Sequence, residues 1–376
     1  MVSLTWEQVT AWRLSRNHLI RRAGAAKLVT AVREMCGAHA QIMSSVAMAL
    51  GARLNKFDQV RLDTALEDDR TLVKTWAMRG TLHIFPADDI SLYCAAQQTR
   101  DQYMNAAFLR YMDLELADVH AVLDAIPAAL DGRILSRDEL TNEILRITKR
   151  RHLEPRLRSG WGEMLKPAAF RGLLCFGPKD GRTSTFVRPD QWIGAWTEFD
   201  SNVALQEVYR RFLSAYAPAS RAEVARWWGV RPAEAGRVLK LLAGELEEVE
   251  LSGTKRWVLR TDLRSLKSKR SVTGVRLLPS FDQILVMSAP HSEAIVDDDH
   301  AGGIYRPRTA VWSLPAVLVD GRVRAAWKLE RKTKRALVTI EPFGKLTRTT
   351  MSELESEVER LGTVMDMPTE LRSSPP

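Results

Sequence analysis

Apolar and polar positions along the chain repeat one local plan three times. In each copy a hydroxyl residue stands three positions before Glu or Gln, apolar residues then recur at helical spacing, and a short strand-like segment follows. The hydroxyl and the acid or amide together satisfy free amides at a helix N-terminus. Helix–turn–helix followed by a hairpin is typical of winged helices, so the pattern predicts three such units in tandem. Their starts are Thr5 with Gln8, Ser136 with Glu139, and Ser220 with Glu223.

The three winged-helix regions are predicted to cover residues 1–110, 111–200 and 201–263. Helical periodicity predicts helices over 6–19, 26–36, 41–50, 58–67, 116–130, 137–148, 161–171, 220–228 and 232–242. The strand-like segments are 75–85, which breaks at Gly80, 173–176 with 185–188, and 246–251 with 256–259.

The hydrophobic period changes from helical to alternating at about Leu277. Asp320-Gly321 is a typical hairpin turn sequence. We therefore expect a small antiparallel β-barrel over residues 264–345, and then a helix over 351–366 and a frayed tail within residues 346–376. The fold class is thus α+β. The predicted strands lie in LPSFDQILVM, TAVWSLPAVLVDG, and RVRAAWKLER with KRALVTIEPF.

The chain has 376 residues, too many for one compact core, so we expect about two to four domains. Its net charge of +9 favours an anionic partner, nucleic acid first and an anionic membrane second. Charge that serves only solubility would be spread evenly. Here the basic residues cluster in 146–158, 254–276 and 320–335, which favours nucleic acid.

Several protein classes are disfavoured. Three cysteines, far apart and odd in number, suit a reducing cytoplasm and form neither a disulfide framework nor a zinc site. The N-terminus lacks a secretory pattern and no long apolar run occurs, so we expect a cytoplasmic, nucleoid-associated protein without a membrane partner. No phosphate-binding loop or dinucleotide fingerprint is present, so no cofactor is expected. Asp297–His300 (DDDH) is interpreted as a solvated acidic loop and not a metal site, because no second ligand cluster accompanies it.

The stretch Gly37–Gln41 (GAHAQ) lies between two predicted helices. Inside a helix, residues two apart point to different sides, so His39 and Gln41 converge only if the stretch is a helix start or an extended turn. Gly37 permits such a turn. Residue chemistry alone leaves two interpretations open. Either His39 caps a helix and Gln41 lies on the surface, or the two form a polar site.

Six stretches in chain order resemble the AlkZ/YcaQ family of winged-helix DNA glycosylases. The resemblance implies tandem winged helices in a curved arrangement that clasps DNA, followed by a β-barrel. It also implies a catalytic Gln-x-Gln or Gln-x-Asp motif in the first region, where this chain has the variant His39-Ala40-Gln41. The six stretches are Cys36–Ser45, Met78–His83, Phe186–Trp192, Ala225–Gly229, Leu278–Asp282, and Pro315–Arg322 followed by Trp327.

The activity that the resemblance implies is a monofunctional DNA glycosylase that hydrolyses the N-glycosidic bond of bulky or crosslinked N7-alkylated purines. Alkylation at N7 makes the base a cationic, good leaving group, so the enzyme needs a positioned water. We expect His39 to accept a proton from this water, since an imidazole with a pKa of about 6.5 is a competent base. Gln41 is expected to hold the water or the sugar. No lysine is implicated as a Schiff-base nucleophile.

Seven further side chains are candidate DNA contacts. An ordinary alternative, a solvated turn residue, applies to Lys179, Arg182, Arg322 and Arg324, and His83 has the alternative of a packed strand residue. We expect a monomer that binds double-stranded DNA carrying alkylpurine adducts. The seven candidates are Arg79, His83, Lys179, Arg182, Arg188, Arg322 and Arg324.

The histidine at the first motif position departs from the family's usual residue and keeps a second function open. This alternative is a non-enzymatic winged-helix DNA-binding protein, such as a transcriptional regulator. A binder of RNA or of anionic membranes is supported by charge alone. Within the glycosylase hypothesis, general repair and self-resistance to a DNA-alkylating natural product both remain open, and no particular adduct is favoured.

Overall fold

The computed structural model describes residues 2–194, 196–268, 271–296 and 314–373. Helices and strands form a mixed α+β fold, as predicted. The chain divides into two compact units. The composite unit contains residues 1–62 and 210–376, and the central unit contains residues 63–209.

The helices are α1 (Trp6–Arg16), α2 (Leu28–Glu34), α3 (Met43–Gly51), α4 (Gln59–Glu67), α5 (Ile90–Gln97), α6 (Ala106–Met112), α7 (Leu116–Ala129), α8 (Arg137–Thr148), α9 (Glu154–Leu157), α10 (Lys166–Phe170), α11 (Pro189–Trp192), α12 (Ser201–Tyr216), α13 (Arg221–Trp228), α14 (Pro232–Leu241), α15 (Arg260–Lys267), α16 (Gln283–Ser288) and α17 (Arg348–Met365). The strands are β1 (Val2–Leu4), β2 (Ala23–Gly24), β3 (Ala38–His39), β4 (Leu54–Asn55), β5 (Leu72–Trp76), β6 (Leu82–Pro86), β7 (Leu135–Ser136), β8 (Cys175–Phe176), β9 (Thr185–Val187), β10 (Leu246–Leu251), β11 (Thr254–Leu259), β12 (Val275–Leu278), β13 (Ala316–Val319), β14 (Arg322–Arg331), β15 (Ala336–Pro342) and β16 (Thr369–Ser373).

All three predicted capping boxes are confirmed. The helices α1, α8 and α13 begin one residue after Thr5, Ser136 and Ser220, and in each box the hydroxyl and the side chain three residues later bond each other's backbone amides. These contacts span only three residues, so the sequence pattern carries all the information that they need.

In the central unit, strands β6, β5, β8, β9 and β7 are neighbours in that order. The segment predicted to break at Gly80 is the hairpin β5–β6, and the predicted second hairpin is β8–β9. Strand β7 pairs with the other side of β9. Helices α7, α8 and α10 cover a core in which Leu135 and Leu140 are both buried.

The composite unit contains two larger sheets. In one, β10 and β11 form the predicted third hairpin, and β1 adds to β10 in parallel. The other has the order β12-β13-β14-β15-β16, antiparallel except for its last pair. Its predicted turn at Asp320-Gly321 is confirmed, with both residues at positive φ. Helix α17 packs on this sheet and approaches α3 where Gly51 faces Val364.

The predicted strand over LPSFDQILVM (residues 278–287) is wrong beyond its first residue. Strand β12 ends at Leu278, and helix α16 begins at Gln283 because the side chain of Asp282 caps it, accepting from the Ile284 amide at 3.0 Å. A short apolar run such as ILVM has no period that separates strand from helix. The predicted helix over 161–171 is also shorter, since α10 covers only Lys166–Phe170.

The two strands at the chain ends were not predicted. Strand β1 pairs with β10, and β16 pairs with β15 over Thr369–Ser373. The frayed Pro/Ser end stays a prediction, and residues 374–376 lie outside the described part of the chain. Residues 297–300 and the predicted strand residues 309–313 lie outside the described part of the chain. The division into five segments, the tandem winged helices and the closure of the last sheet into a barrel stay predictions.

Each of the three cysteines is buried, and none of them forms a disulfide bond. Burial raises the pKa of the Cys94 thiol to about 12, which makes it a poor nucleophile. Across the described ranges, none of the helices combines the length and the apolar character of a membrane span.

Glu223, the acid of the third capping box, is also the centre of a buried ionic cluster. Its side chain is 5% exposed, accepts from the Ser220 amide at 2.8 Å, pairs with Arg256 and lies 3.3 Å from His291 Nε2. Burial by itself would raise the pKa of Glu223. The hydrogen bond from His291 and the charges of Arg13 and Arg256 outweigh this effect and hold the pKa well below its usual range.

Glu223→Gln is expected to lower the free energy of unfolding by about 3–5 kcal/mol at neutral pH, because it leaves Arg256 buried without a counter-charge. A carboxylate with a depressed pKa stabilises the fold above its unfolded-state pKa and loses this effect as the pH falls. The difference between wild type and variant should therefore shrink below about pH 4.3, the ordinary value for Glu. Urea unfolding at several pH values, followed by tryptophan fluorescence, measures it.

Glu139→Gln is the matched control. Glu139 holds the same position in the capping box of α8, but it is exposed to solvent. Its replacement should cause only a small loss of stability. Equal losses for the two variants would contradict the prediction, because the cap alone would then account for both.

Candidate active site and nucleic-acid interface

The stretch that contains His39 and Gln41 is extended and not helical. Helix α2 ends at Glu34, and Cys36 and Gly37 then adopt left-handed conformations with φ of 58° and 87°. Strand β3 follows at Ala38–His39, and α3 begins only at Met43. Glycine adopts a left-handed φ without strain, which lets the chain turn sharply out of α2. The structure thus meets the backbone condition that the sequence set for convergence of the two side chains.

His39 and Gln41 differ in their exposure to solvent. His39 is 9% exposed, whereas Gln41 is on the surface. Ala38 and Ala40, which alternate with them, are buried. Alternate residues of an extended segment point to the same side. The arrangement suits a nearly buried base next to an amide that meets solvent or substrate.

A turn between β12 and α16 contacts this segment. The ring of Phe281 stacks on that of His39, with 5.2 Å between the ring centroids and 17° between the planes. The Gln283 Nε2 donates to the Gly37 carbonyl at 2.8 Å. Phe281 and Gln283 were not among the predicted site residues. Phe281 lies within the resemblance stretch Leu278–Asp282, and Gln283 follows that stretch directly.

The turn is itself fixed from both ends. The carboxylate of Asp282 accepts two hydrogen bonds from the Arg53 guanidinium, at 2.6 and 2.8 Å, and both side chains are fully buried. The Trp327 Nε1 donates to the Leu278 carbonyl at 2.9 Å. These contacts bring the resemblance stretches at Cys36–Ser45, Leu278–Asp282 and Trp327 together in space.

The end of α2 is held by a third polar side chain. The Tyr216 hydroxyl donates to the Met35 carbonyl at 2.9 Å, and both residues are buried. Burial raises the pKa of Tyr216 well above its usual value. The phenol therefore stays protonated and keeps its role as a donor across the whole physiological pH range.

Arg79 and His83 lie on the hairpin β5–β6 of the central unit. Arg79, with φ of 57°, occupies the turn, and Gly80 follows it at positive φ close to Tyr103. His83 is 0% exposed; its Nδ1 lies 3.1 Å from the Thr81 carbonyl, and its ring lies beside that of Phe85. These contacts suit the packed strand histidine that the sequence left open. A DNA contact by either candidate stays a prediction.

The two charged candidates nearest the turn of hairpin β8–β9 differ in their partners. The Lys179 ammonium lies 3.1 Å from Asp63 and 3.9 Å from Glu67, in exposed ion pairs. Arg182 is exposed in the same turn. The pairs of Lys179 are of the weak, surface kind, so a phosphate can replace them.

Arg188, at the end of the same hairpin, is the most heavily paired candidate. It bonds Asp131 at 2.8 Å and Asp190 at 2.6 Å, and the hydrogen bond to Asp190 is the main cause of its raised pKa. These two carboxylates hold its guanidinium in place. Its role as a DNA contact stays a prediction.

Arg322 and Arg324 lie on β14 of the five-stranded sheet. The guanidinium of Arg322 reaches the Ala294 and Val296 carbonyls at 3.5 and 3.4 Å, so it supports the chain that precedes residue 297. Arg324 is exposed. The sequence placed both in a hairpin, which is confirmed, and their contact with DNA stays a prediction.

Lys74 on β5 is a titratable group that was not among the predicted site residues. Burial and the nearby charge of Lys179 lower its pKa to about 8. Its ammonium lies 4.8 Å from the centroid of the Phe176 ring. A lysine with a lowered pKa is the group that Schiff-base chemistry needs, so Lys74 bears on the expectation of a monofunctional enzyme.

Among the residues that the structure describes, no group of three or more His, Cys, Asp or Glu side chains could hold a metal ion. The Asp297–His300 stretch lies outside those residues, and its interpretation as an acidic loop stays a prediction.

Comparison with known proteins decides the family. The family described as "DNA glycosylase AlkZ-like" matches residues 32–364. The chain belongs to the AlkZ-like DNA glycosylase family. It is 31% identical over 358 residues to the interstrand DNA cross-link repair glycosylase of Streptomyces sahachiroi, covering 94% of each chain. It also matches the solved structure of Streptomyces sahachiroi DNA glycosylase AlkZ with a TM-score of 0.85 and 30% identity, over 99% of this chain and 100% of that one.

Membership of the AlkZ-like family confirms the resemblance inferred from the six stretches. It makes the chain a DNA glycosylase, which acts on DNA. The matched region contains the His39–Gln41 segment, the Phe281 turn and Trp327.

Proposed function

We propose that this AlkZ-like glycosylase excises bulky and crosslinked N7-alkylated purines, with His39 activating the water and Gln41 holding it. The observation that supports the proposal best is a nearly buried histidine on strand β3, two residues before an exposed glutamine at a bend. The substrate class rests on the relative named for interstrand DNA cross-link repair.

The reaction needs one base and one good leaving group. His39 takes a proton from water while the water oxygen bonds to the sugar C1′. The bond from C1′ to N9 breaks and its electron pair goes to the purine, which is cationic when alkylated at N7 and leaves as a neutral base. The imidazolium then returns its proton to solvent. A positioned base of this kind contributes roughly 10²–10⁴-fold to the rate.

The DNA-binding frame in this proposal is a tandem of winged helices. In the sheet of such a unit, the third strand lies between the first and the second. In the central unit the strands β7, β9 and β8 have this order around α7–α10. In the composite unit α12–α14 precede β10–β11, and Ala219 bridges to Trp257 as a first strand would.

The His39 hypothesis predicts different results for two substitutions. His39→Ala should slow base release by about 10²-fold or more. His39→Gln restores the family's Gln-x-Gln motif, so it should keep measurable activity but lose the contribution of an imidazole base. Alkali-induced strand breaks in single-turnover reactions with N7-methylguanine DNA, and with a bulkier N7 adduct, measure both.

His120→Ala is the control, since His120 lies on α7 and is exposed. Release by His39→Ala at the wild-type rate would falsify the assignment. Tight binding to one defined duplex sequence, with no excision of any adduct by wild type, would favour the transcriptional regulator instead.

The monofunctional mechanism predicts that borohydride traps no covalent complex between the protein and abasic DNA. Lys74 is the candidate for such a covalent bond, because its pKa of about 8 leaves part of its amine neutral at physiological pH. Gel electrophoresis after reduction makes the measurement, and Lys74→Arg supplies the matched variant. A trapped complex in wild type that disappears in Lys74→Arg would show lyase chemistry and overturn this part of the proposal.

The two candidate DNA contacts in the turn of hairpin β8–β9 are expected to contribute unequally to DNA affinity. Arg182→Ala should weaken binding to undamaged duplex and reduce the slope of log K against log salt by about 1, the value for one phosphate contact. Lys179→Ala should have a smaller effect, because its ammonium already pairs with Asp63 and Glu67. Fluorescence anisotropy over a salt series measures both. Lys27→Ala, another exposed lysine, is the control. Equal slopes for Arg182→Ala and Lys27→Ala would remove Arg182 from the interface.

A further inference from the structure

We propose that Phe281 and Gln283 are positioning residues that set the orientation of His39 for catalysis. The inference rests on the proposed function, in which His39 is the base. Neither residue needs to touch DNA or water to act. Phe281 holds the ring of His39, and Gln283 holds the backbone that carries it.

His39 has little regular structure of its own to hold it. Strand β3 has two residues, and on either side lie the left-handed turn at Cys36-Gly37 and the bend before α3. An imidazole that serves as a base must present one nitrogen to the water, so the plane of its ring matters. Stacking on Phe281 at 5.2 Å and 17° fixes that plane.

The backbone of Phe281 is strained in the conformation that makes this contact. Its φ is 62°, in the left-handed region where residues with a side chain are uncommon. Such strain persists only when the surroundings determine the conformation, and it clusters at functional sites. Here two contacts determine the conformation of Phe281. Arg53 donates two hydrogen bonds to the Asp282 carboxylate, and the Trp327 Nε1 donates to the Leu278 carbonyl.

Gln283 acts on the other side of the same contact. Its side chain is 1% exposed, and its Nε2 donates to the Gly37 carbonyl, two residues before His39. A buried backbone carbonyl needs a donor, and at this turn the Gln283 side chain supplies one. One turn, Pro279–Gln283, therefore fixes both the ring of His39 and the turn that leads into it.

The decisive variant is Phe281→Leu, which removes the flat ring and keeps a side chain that branches at the same carbon. It should lower the single-turnover excision rate by about tenfold or more, as expected when a reacting group is misplaced, and change DNA affinity less than about twofold. Phe281→Tyr keeps the ring and should retain the wild-type rate. Phe343→Leu, which removes a buried ring at the end of β15, is the control for general loss of packing.

The double variant His39→Ala/Phe281→Leu tests whether Phe281 acts through His39. If it does, Phe281→Leu should cause no further loss in the His39→Ala background. A parallel readout is the pH titration of the His39 ring by NMR, which should change in Phe281→Leu and in Gln283→Leu but not in Phe343→Leu. Circular dichroism checks that each variant is folded.

The possible outcomes separate the two proposals. If His39→Ala excises at the wild-type rate, the proposed function fails. If His39→Ala is slow but Phe281→Leu matches wild type in rate and in the His39 titration, only the positioning role is overturned. A loss of DNA affinity as large as the loss of rate, or full additivity with His39→Ala, also overturns it, because Phe281 would then act on DNA or independently of His39.

Discussion

A buried ion pair between Arg53 and Asp282 is the contact on which the position of the Phe281 turn, and with it the Gly37–Gln41 segment, depends. Removing two charges from water is costly and is offset only when the geometry is good and further hydrogen bonds satisfy the groups. Arg53 meets these conditions with two short bonds to the carboxylate and one to the Ala49 carbonyl. Because Arg53 follows α3 and Asp282 begins α16, the pair joins the first residues of the composite unit to its C-terminal part.

The other polar contacts around His39 are buried bonds to backbone carbonyls. The segment turns sharply between α2 and α3. Tyr216 and Gln283 each supply a buried donor to a carbonyl at this turn, and Trp327 supplies one to the Leu278 carbonyl at the end of β12. Apolar packing would stabilise the same unit in several conformations of these turns. The polar contacts favour one conformation, because any other would leave a buried carbonyl without its donor at the full cost of desolvation.

Local features were predictable from the sequence, and contacts between distant segments were not. The three capping boxes and the Asp320-Gly321 turn each depend on residues within a few positions of one another. Helix α16 was mistaken for a strand because the cap at Asp282 competes with an apolar run that suits either structure. The end strands β1 and β16 were missed because short parallel pairing leaves no local pattern.

The candidate site shows the same division. The Gly37–Gln41 stretch drew attention by its chemistry and by its place between two helices, and family resemblance then gave it a role. Its contact with Phe281 was not predictable, since the two segments are far apart in the chain and the strain at Phe281 is visible only in backbone angles. The resemblance at Leu278–Asp282 had marked this turn but gave no physical role for it. In the structure, the ion pair between Arg53 and Asp282 holds the turn in place.

Charge behaves differently at the surface and in the interior, and this difference bears on DNA binding. The basic cluster over 146–158 overstates the free charge, because Arg150 bonds Asp118, and Arg158 bonds Asp138 and Glu154. The Arg158 pairs are exposed and contribute only about 0–1 kcal/mol, so phosphates can replace these two carboxylates with little loss of stability. The Arg53–Asp282 pair cannot be exchanged in this way, since no solvent or phosphate reaches it. The turn that contacts His39 is thus held by a buried pair, whereas the pairs of Arg158 lie in solvent.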